Sequence, residues 1–466
     1  MAEIIIIGAS PAGLYLARNL ARGPHKITVM EALSKTNYFG RLDSRADVIS
    51  LDALKESGYV PAITHTAGRF IGSAVKSGEG GFLEKHRMSK LTYYFGDTGV
   101  KCENIDYRAA QIDRRRFADM QHKECNREMV NIEFGTTVTG LSGELDAADI
   151  SDIKVDGVYY QRAGETFTAP ADLVIDASSC SSGFLSGISA LQIRHNGASP
   201  NNAYKNIRRV DIDAKYTGLR PFGDFYIGYK DGAEWLLRYD SGEAPISATA
   251  RYHALEFGIA ELGAALSDKS HEELAAHIEN SRKNFNNLYG YEESHYDSKL
   301  YFGEPREIFA VAGFMALGAA AGISNPFTGC AFTGAFASAH IAGEVIVQAA
   351  EFDFETAYKY NCKWQNSCGS DYFALSRLKS LMWELDDGEL EVFINKCLTR
   401  ETFAPMLTDV YAPDPKRLKT VADKLQREKF AGIIKACDKV YNNCKKFPKA
   451  YSPKAFFDWQ KRLTLL

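Results

Sequence analysis

The sequence predicts an α/β fold: one β–α–β unit at the start, a β-rich middle and a helical C-terminal region. Three observations carry this prediction. A run of four isoleucines enters a glycine turn and then a helical stretch. Residues 131–176 and about 205–252 alternate apolar and polar positions between turn residues. A long small-residue helix begins near residue 329, and the stretch beyond about 351 reads as helical.

The first unit is the most informative. Glu3-Ile4-Ile5-Ile6-Ile7 reads as a parallel strand covered on both faces. Gly8-Ala9-Ser10-Pro11-Ala12-Gly13 follows, then a helix from Leu14 to Leu20, then the strand Lys26-Ile27-Thr28-Val29-Met30, which ends in Glu31. Gly8 suits the tight turn and Gly13 suits close helix–strand packing. The small residues Ser10 and Ala12 leave room for close backbone approach. The helix N-terminus then faces a pyrophosphate, and Glu31 is placed to accept a ribose hydroxyl. Strand, turn, helix, strand and terminal acid together make a nucleotide site, which a glycine pattern alone does not.

Composition bounds the rest. At 466 residues the chain holds two or three structural units with a sizeable core. A net charge of −4 gives a nucleic-acid partner no support. The nine cysteines are odd in number and form no C-x-x-C pair, which points to free thiols in a reducing, cytoplasmic setting and to no metal site. The N-terminus enters a strand at once, so no leader is expected. The most apolar window, 309–323, is too short to span a membrane, which leaves peripheral membrane contact as the mode open to this chain.

Taken in order, residues 32–60 read as a polar loop and a short helix. Residues 61–104 hold a glycine cluster, the basic Lys85-His86-Arg87 and the pair Tyr93-Tyr94. A helix is expected over about 113–129. Strands follow between 131 and 176, with Asp156-Gly157 as a turn, and close on the buried strand Asp172–Ala177. A second β-rich region spans about 205–252. Its hairpin is Asp224–Tyr229, a turn at Lys230-Asp231-Gly232, then Ala233–Tyr239. Helices are expected at about 253–266 and 270–288.

The second signature runs from Ala312 to Ala331 and contains Gly318-Ala319-Ala320-Ala321-Gly322 and Asn325-Pro326-Phe327-Thr328-Gly329-Cys330. It reads as strand, small-residue turn, Asn-Pro and helix. Small residues let backbone amides approach a flat ligand, and a helix starting there aims its positive end at an electron-rich atom. Close packing of a helix on a sheet gives the same pattern.

These blocks, in this order, resemble the geranylgeranyl reductase-like branch of FAD-dependent oxidoreductases with the p-hydroxybenzoate hydroxylase fold. The resemblance covers most of the chain. It implies a single-Rossmann FAD-binding fold with a β-rich substrate domain and a helical C-terminal cap. Gly8, Ser10, Ala12, Gly13 and Glu31 then hold the pyrophosphate and ribose. Arg114, in Ile112-Asp113-Arg114-Arg115-Arg116-Phe117, and Val138 belong to the cofactor site. Asp172–Ser178 resembles the strand under the cofactor. Gly318, Ala319, Pro326, Gly329, Cys330 and Ala331 fall along the ribityl chain and ring. Tyr358–Trp364 and Leu385–Leu390 resemble the branch's helical tail. Three positions depart from the pattern: Ala319 replaces an aspartate, Ala331 a glycine and Ser179 a glycine.

The resemblance implies an FAD-binding domain from 1–60, 105–190 and 300–350, a substrate domain from 61–104 and 191–299, and a cap over 351–466. It implies reduction of carbon–carbon double bonds in an apolar, isoprenoid-like substrate. Because the chain has one dinucleotide turn, either NAD(P)H docks transiently as donor or another donor reduces the flavin. An FAD monooxygenase or halogenase of an aromatic or specialised metabolite is the alternative, and a non-redox flavoprotein or cofactor-poor scaffold is a third reading. The catalytic group is not identified. Tyr226, Tyr229, Trp235 and Tyr239, with Tyr93 and Tyr94, are candidates to line the pocket, although aromatics also simply stabilise sheets. His340 is expected in the core, and Cys330 beside the ring turn is either a small filler or a reactive thiol.

Overall fold

The structure is a computed structural model. It describes residues 1–42, 46–50, 84–88, 90–95, 98–106, 109–178, 183–188, 202–213, 224–229, 232–240, 252–262, 294–301, 305–408 and 410–464.

The four isoleucines form β1 (Glu3–Ile7), and all four are buried. Helix α1 (Pro11–Leu20) returns the chain to β2 (Lys26–Glu31), parallel to β1. Pro11 takes the first helical position, where its missing N–H costs nothing, and Ser10 caps the helix through its hydroxyl. Helix α2 (Lys35–Leu42) follows, then β3 (Ala46–Ser50), a strand in a stretch expected to be loop and short helix. Antiparallel pairing joins β3 to β7 (Ala109–Asp113), which also pairs with β4 (Glu84–Met88). The expected helix near 113–129 is α3 (Arg114–Arg127).

Strands β8 (Asn131–Phe134), β12 (Leu173–Asp176), β18 (Ala310–Val311) and β19 (Phe314–Ala316) complete a six-stranded sheet in the order β18-β19-β12-β1-β2-β8. All neighbours in it are parallel except β18–β19. A meander of β9 (Thr136–Glu144), β10 (Lys154–Arg162) and β11 (Glu165–Pro170) packs on β2 and β12. Helix α1 lies between α3 and α4 (Phe332–Gln348). Asp156-Gly157 is not a turn. It is an irregularity inside β10, where a Cβ on Gly157 would lie 2.3 Å from the Ala169 carbonyl oxygen. The chain reverses instead at Ala163-Gly164.

The second sheet has seven strands: β17 (Ser294–Tyr301), β13 (Asn202–Asp213), β16 (Tyr252–Leu262), β15 (Gly232–Asp240), β14 (Asp224–Tyr229), β5 (Leu91–Phe95) and β6 (Lys101–Ile105). Residues 91–105 thus share a sheet with strands more than a hundred positions later. The helix expected over 253–266 is the strand β16. Leu255, Phe257 and Ile259 alternate along it, and pairing to β13 and β15 on both edges overrides helix propensity. The helix expected at 270–288 lies outside the described residues.

The C-terminal region is helical as expected: α5 (Phe354–Trp364), α6 (Ser370–Met382), α7 (Asp387–Val392), α8 (Thr399–Thr408), α9 (Pro415–Lys424), α10 (Glu428–Cys444) and α11 (Pro453–Thr464). Asp386 opens α7 with a capping box closed by Glu389. Helix α5 is fastened to the first sheet by side chains. Asn361 accepts from the Phe309 N–H and donates to the Ala310 carbonyl, and Tyr360 donates to the Ala316 carbonyl. Among the described residues, no helix is long and apolar enough to cross a membrane.

Candidate functional site

The site is built where β1, β12 and β19 end. Gly8 leaves β1 with φ +91°, and a Cβ there would lie 2.7 Å from Ser178 Cα, so the turn runs against the end of β12. A Cβ on Gly13 would lie 2.8 Å from the Gly8 carbonyl oxygen and 3.0 Å from Ala177 Cβ. Gly8 is therefore required by conformation and by contact, and Gly13 by contact alone. On the far side of β12, the Leu317 N–H donates to the Asp176 carbonyl at 2.8 Å, which brings the Gly318–Ala321 turn to the same end of the sheet. Buried Asp176 accepts from both the N–H and the hydroxyl of Ser178. In a sheet of this kind, ligands bind outside the carboxyl ends of the strands where the connections diverge.

The Ala9 peptide is held from both sides. Its N–H donates to Glu31 Oε2 at 2.9 Å, and its carbonyl accepts from Tyr38 Oη at 2.6 Å. Glu31 Oε1 also accepts from the Leu33 N–H. This uses one lone pair on each oxygen and leaves capacity for a hydroxyl donor. The ring of Tyr38 packs against Phe39, His122 and Phe134. Burial lowers the His122 pKa to about 4, so this wall is uncharged near neutrality. Gln121 on α3 donates to the Pro11 carbonyl, and an Arg18–Glu124 ion pair joins α1 to α3. Ser10 Oγ accepts from the Gly13 N–H at 3.2 Å, which explains a hydroxyl residue where the pattern has glycine.

The second half is the Asn325–Cys330 turn. Asn325 Oδ1 accepts from the Phe327 N–H, its carbonyl accepts from the Gly329 N–H, and its N–H donates to the Cys330 carbonyl. Its amide nitrogen donates to the Met406 and Leu407 carbonyls of α8. Two further side chains reach this turn. Lys379 Nζ on α6 donates to the Pro326 carbonyl at 2.9 Å, and Tyr93 Oη donates to the Phe327 carbonyl at 3.2 Å. Several amides expected to face a ligand thus have partners within the turn. Helix α4 begins at Phe332, three residues later than expected, and Ala331 caps it without a side-chain bond. Gly318, at φ +52°, is pressed on α4, where a Cβ would lie 2.6 Å from Ala335 Cβ.

The structure thus brings Gly8, Ser10, Ala12, Gly13 and Glu31 to the sheet end that also receives Gly318 and Ala319. Ala319 is half-buried in its turn. Pro326, Gly329, Cys330 and Ala331 lie in the segment from the pinned turn to α4, with Cys330 half-buried. Arg114 opens α3, and Phe117, three residues on, packs against Phe332 at the start of α4. The Arg114 side chain lies outside the described residues. Val138 is half-buried in β9, with Tyr160 as its cross-strand partner.

Tyr93 is not a pocket hydroxyl. It is fully buried, its OH is committed to Phe327, and burial pushes its pKa above the ordinary tyrosine range. Backbone register sets Tyr226 beside Tyr93 and opposite Trp235, and sets Tyr239 opposite Ala254. The side chains of Tyr226, Tyr229, Trp235 and Tyr239 lie outside the described residues, as does Ser179. His340 is not in the core: it is part-exposed and lies 3.3 Å from Glu344. None of the eight described cysteines is in a disulfide. Sequence reasoning missed Tyr38, Asn361 and Lys379. None of the three stood out in the sequence: Lys379 is one of two cations, with Arg377, in the run Phe373-Ala374-Leu375-Ser376-Arg377-Leu378-Lys379.

No protein-family model and no curated protein sequence matches the chain. Solved structures do match. A geranylgeranyl bacteriochlorophyll reductase-like protein from Thermoplasma acidophilum superposes with a TM-score of 0.65 at 14% identity, covering 94% of this chain and 99% of that one. The flavin-dependent brominase Bmp2 gives 0.56 at 16%, covering 92% and 99%. CtdE, solved with FAD and a substrate, gives 0.51 at 15%, covering 92% and 100%. The glycine turn against β12, the turn after β19 and the seven-stranded sheet belong to one architecture: the chain has the fold of the geranylgeranyl reductase-like FAD-dependent oxidoreductases and flavin-dependent halogenases.

Proposed function

We propose that this chain is an FAD-dependent oxidoreductase that reduces carbon–carbon double bonds of an apolar, isoprenoid-like substrate. The observation that carries the reading is the convergence of the Gly8–Gly13 turn, Asp176–Ser178 and Gly318–Ala321 on one end of the parallel sheet. The residues there fit the cofactor. The backbone at Gly8 and Gly13 has no room for side chains, the first turn of α1 presents a positive helix end, and Glu31 has acceptor capacity left. The α1 N-terminus at Ala12 and Gly13 would hold the pyrophosphate, Glu31 the ribose, and the segment from Gly318 to Ala331 the ribityl and ring, with Arg114 contributing from α3.

A bound FAD supplies hydride exchange at its ring, while the protein supplies orientation and exclusion of water. Lys379 and Tyr93 each fix one carbonyl of the turn from a different element, and Asn325 closes the turn on itself and ties it to α8. A single dinucleotide turn favours a transient NAD(P)H donor over a second resident nucleotide. The whole-length likeness to a reductase-like protein supports reduction over oxygenation. The likeness to a brominase supports the second reading, a halogenase or monooxygenase.

The purified protein is expected to bind FAD. Under anaerobic conditions with reduced flavin and a polyprenyl substrate panel, mass spectrometry is expected to show products heavier by pairs of hydrogens. In a parallel assay with air and halide admitted, oxygen or halide in the product would replace this reading by the second. Absence of FAD binding would overturn both.

A further inference from the structure

Charge is distributed unevenly along this chain. Residues 411–466 hold 14 of the 55 lysines and arginines but only 5 of the 59 acids, so this stretch carries +9 and the preceding residues −13. All fourteen basic side chains are exposed on α9, α10, α11 and their connections. Lys419 pairs with Asp423 and Lys429 with Glu389.

Helix stability does not explain the pattern. Cations favour helix C-termini, as Lys461 and Arg462 do on α11. Yet Lys416 and Arg417 occupy the first turn of α9, Lys429 that of α10 and Lys454 that of α11, where the helix end is already positive.

Packing gathers the charge. The Asn443 side chain donates to the Arg462 carbonyl at 3.2 Å, and the Trp459 indole N–H donates to the Asn443 carbonyl at 2.9 Å. The end of α11 is thereby fixed against the end of α10, so Lys461-Arg462 and Lys445-Lys446 meet at one corner. Helix α11 buries Phe456 and Trp459 but leaves Phe457 63% exposed. Phe457 follows Lys454 by three positions and precedes Lys461 by four, so the aromatic ring stands on the lysine face of the helix.

We infer that the α9–α11 lobe docks on an anionic lipid surface, with its lysines against the headgroups and Phe457 entering the interface. The charge complements such a surface. The exposed ring among lysines fits a lipid surface, where a phenylalanine enters the boundary between headgroups and acyl chains. Stacking on a nucleic-acid base is the competing use of such a ring, and the oligonucleotide arm of the test decides against it or for it. Docking needs neither flavin nor substrate, so it stands or falls apart from the proposed reaction.

The test is co-sedimentation of the full chain with vesicles of equal parts phosphatidylglycerol and phosphatidylcholine, and with phosphatidylcholine alone. Binding is expected only to the anionic vesicles, weakening as salt is raised. Neutralising Lys446, Lys449 or Lys454 to Gln is expected to weaken it by about fivefold each. Phe457→Ser should weaken it while leaving the salt dependence unchanged. All four sites are exposed, and thermal melting checks that each variant folds. No binding to the anionic vesicles, equal binding to both kinds, or binding to a single-stranded oligonucleotide but not to vesicles would overturn the inference.

Discussion

Tyr93 Oη donates to the Phe327 carbonyl at 3.2 Å, and this bond ties the seven-stranded sheet to the Asn325–Cys330 turn across 234 positions of sequence. The rings join the same contact. Tyr93 meets Phe403 with centroids 5.1 Å apart and Phe327 at 6.2 Å, so β5, the turn and α8 share one aromatic cluster. Tyr93→Phe keeps the cluster and removes the donor. Leaving a buried carbonyl unpaired costs about 1–3 kcal/mol. The expected result is a lower melting temperature and weaker FAD retention, read by thermal melts and flavin fluorescence. An unchanged melt would show that the carbonyl finds another donor.

Glu31 holds the Ala9 and Leu33 amides, and the proposed function gives it a second duty at the ribose. Glu31→Ala is expected to weaken FAD binding and also to loosen the turn. Glu31→Gln keeps an acceptor for one amide, so its stability loss should be smaller, at about 1 kcal/mol. Flavin titration and thermal melting separate the two effects. Flavin content unchanged in the alanine variant would remove Glu31 from the ribose site.

Ala319 stands where the resembled family has an aspartate, half-buried in the turn after β19. Ala319→Asp is expected to tighten FAD binding about tenfold, the worth of one hydrogen bond to a charged acceptor. Flavin fluorescence titration measures it. No gain would mean that this turn does not follow the ribityl chain.

Asp371 on α6 accepts from the Ala412 N–H at 2.8 Å, and burial raises its pKa from 3.8 to about 6. Its folded pKa lies above its unfolded value, so its contribution to stability is fully present below about pH 4. That contribution is lost as pH rises through about 6. Asp371→Asn keeps the acceptor and removes the ionisation. Above pH 7 the variant is expected to be more stable by about 1–2 kcal/mol, the shift being discounted for partial exposure. Denaturant melts at pH 4 and pH 8 check this, with the gain present only at the higher pH.

The sequence showed the first half of the site and only part of the second. Gly8, Gly13 and Glu31 were legible because a β–α–β unit is local: strand, turn and helix follow one another, and each residue's role is set by its neighbours. Leu255, Phe257 and Ile259 misled. Over a short apolar stretch the strand and helix patterns overlap, and the ladders to β13 and β15 decided the matter. Tyr93 read as a pocket residue because a strand pattern shows which positions alternate, not which face is covered.

What the sequence determined by itself, then, was the α/β class, the glycine turn between β1 and α1 and the order of its segments, since these depend on residues close along the chain. Tertiary structure decided which distant groups fix that turn and its partner. Tyr38 holds the Ala9 carbonyl, and Lys379 the Pro326 carbonyl, through hydrogen bonds that no sequence period encodes. A buried carbonyl must be paired, but the donor that pairs it is whichever side chain the packing delivers.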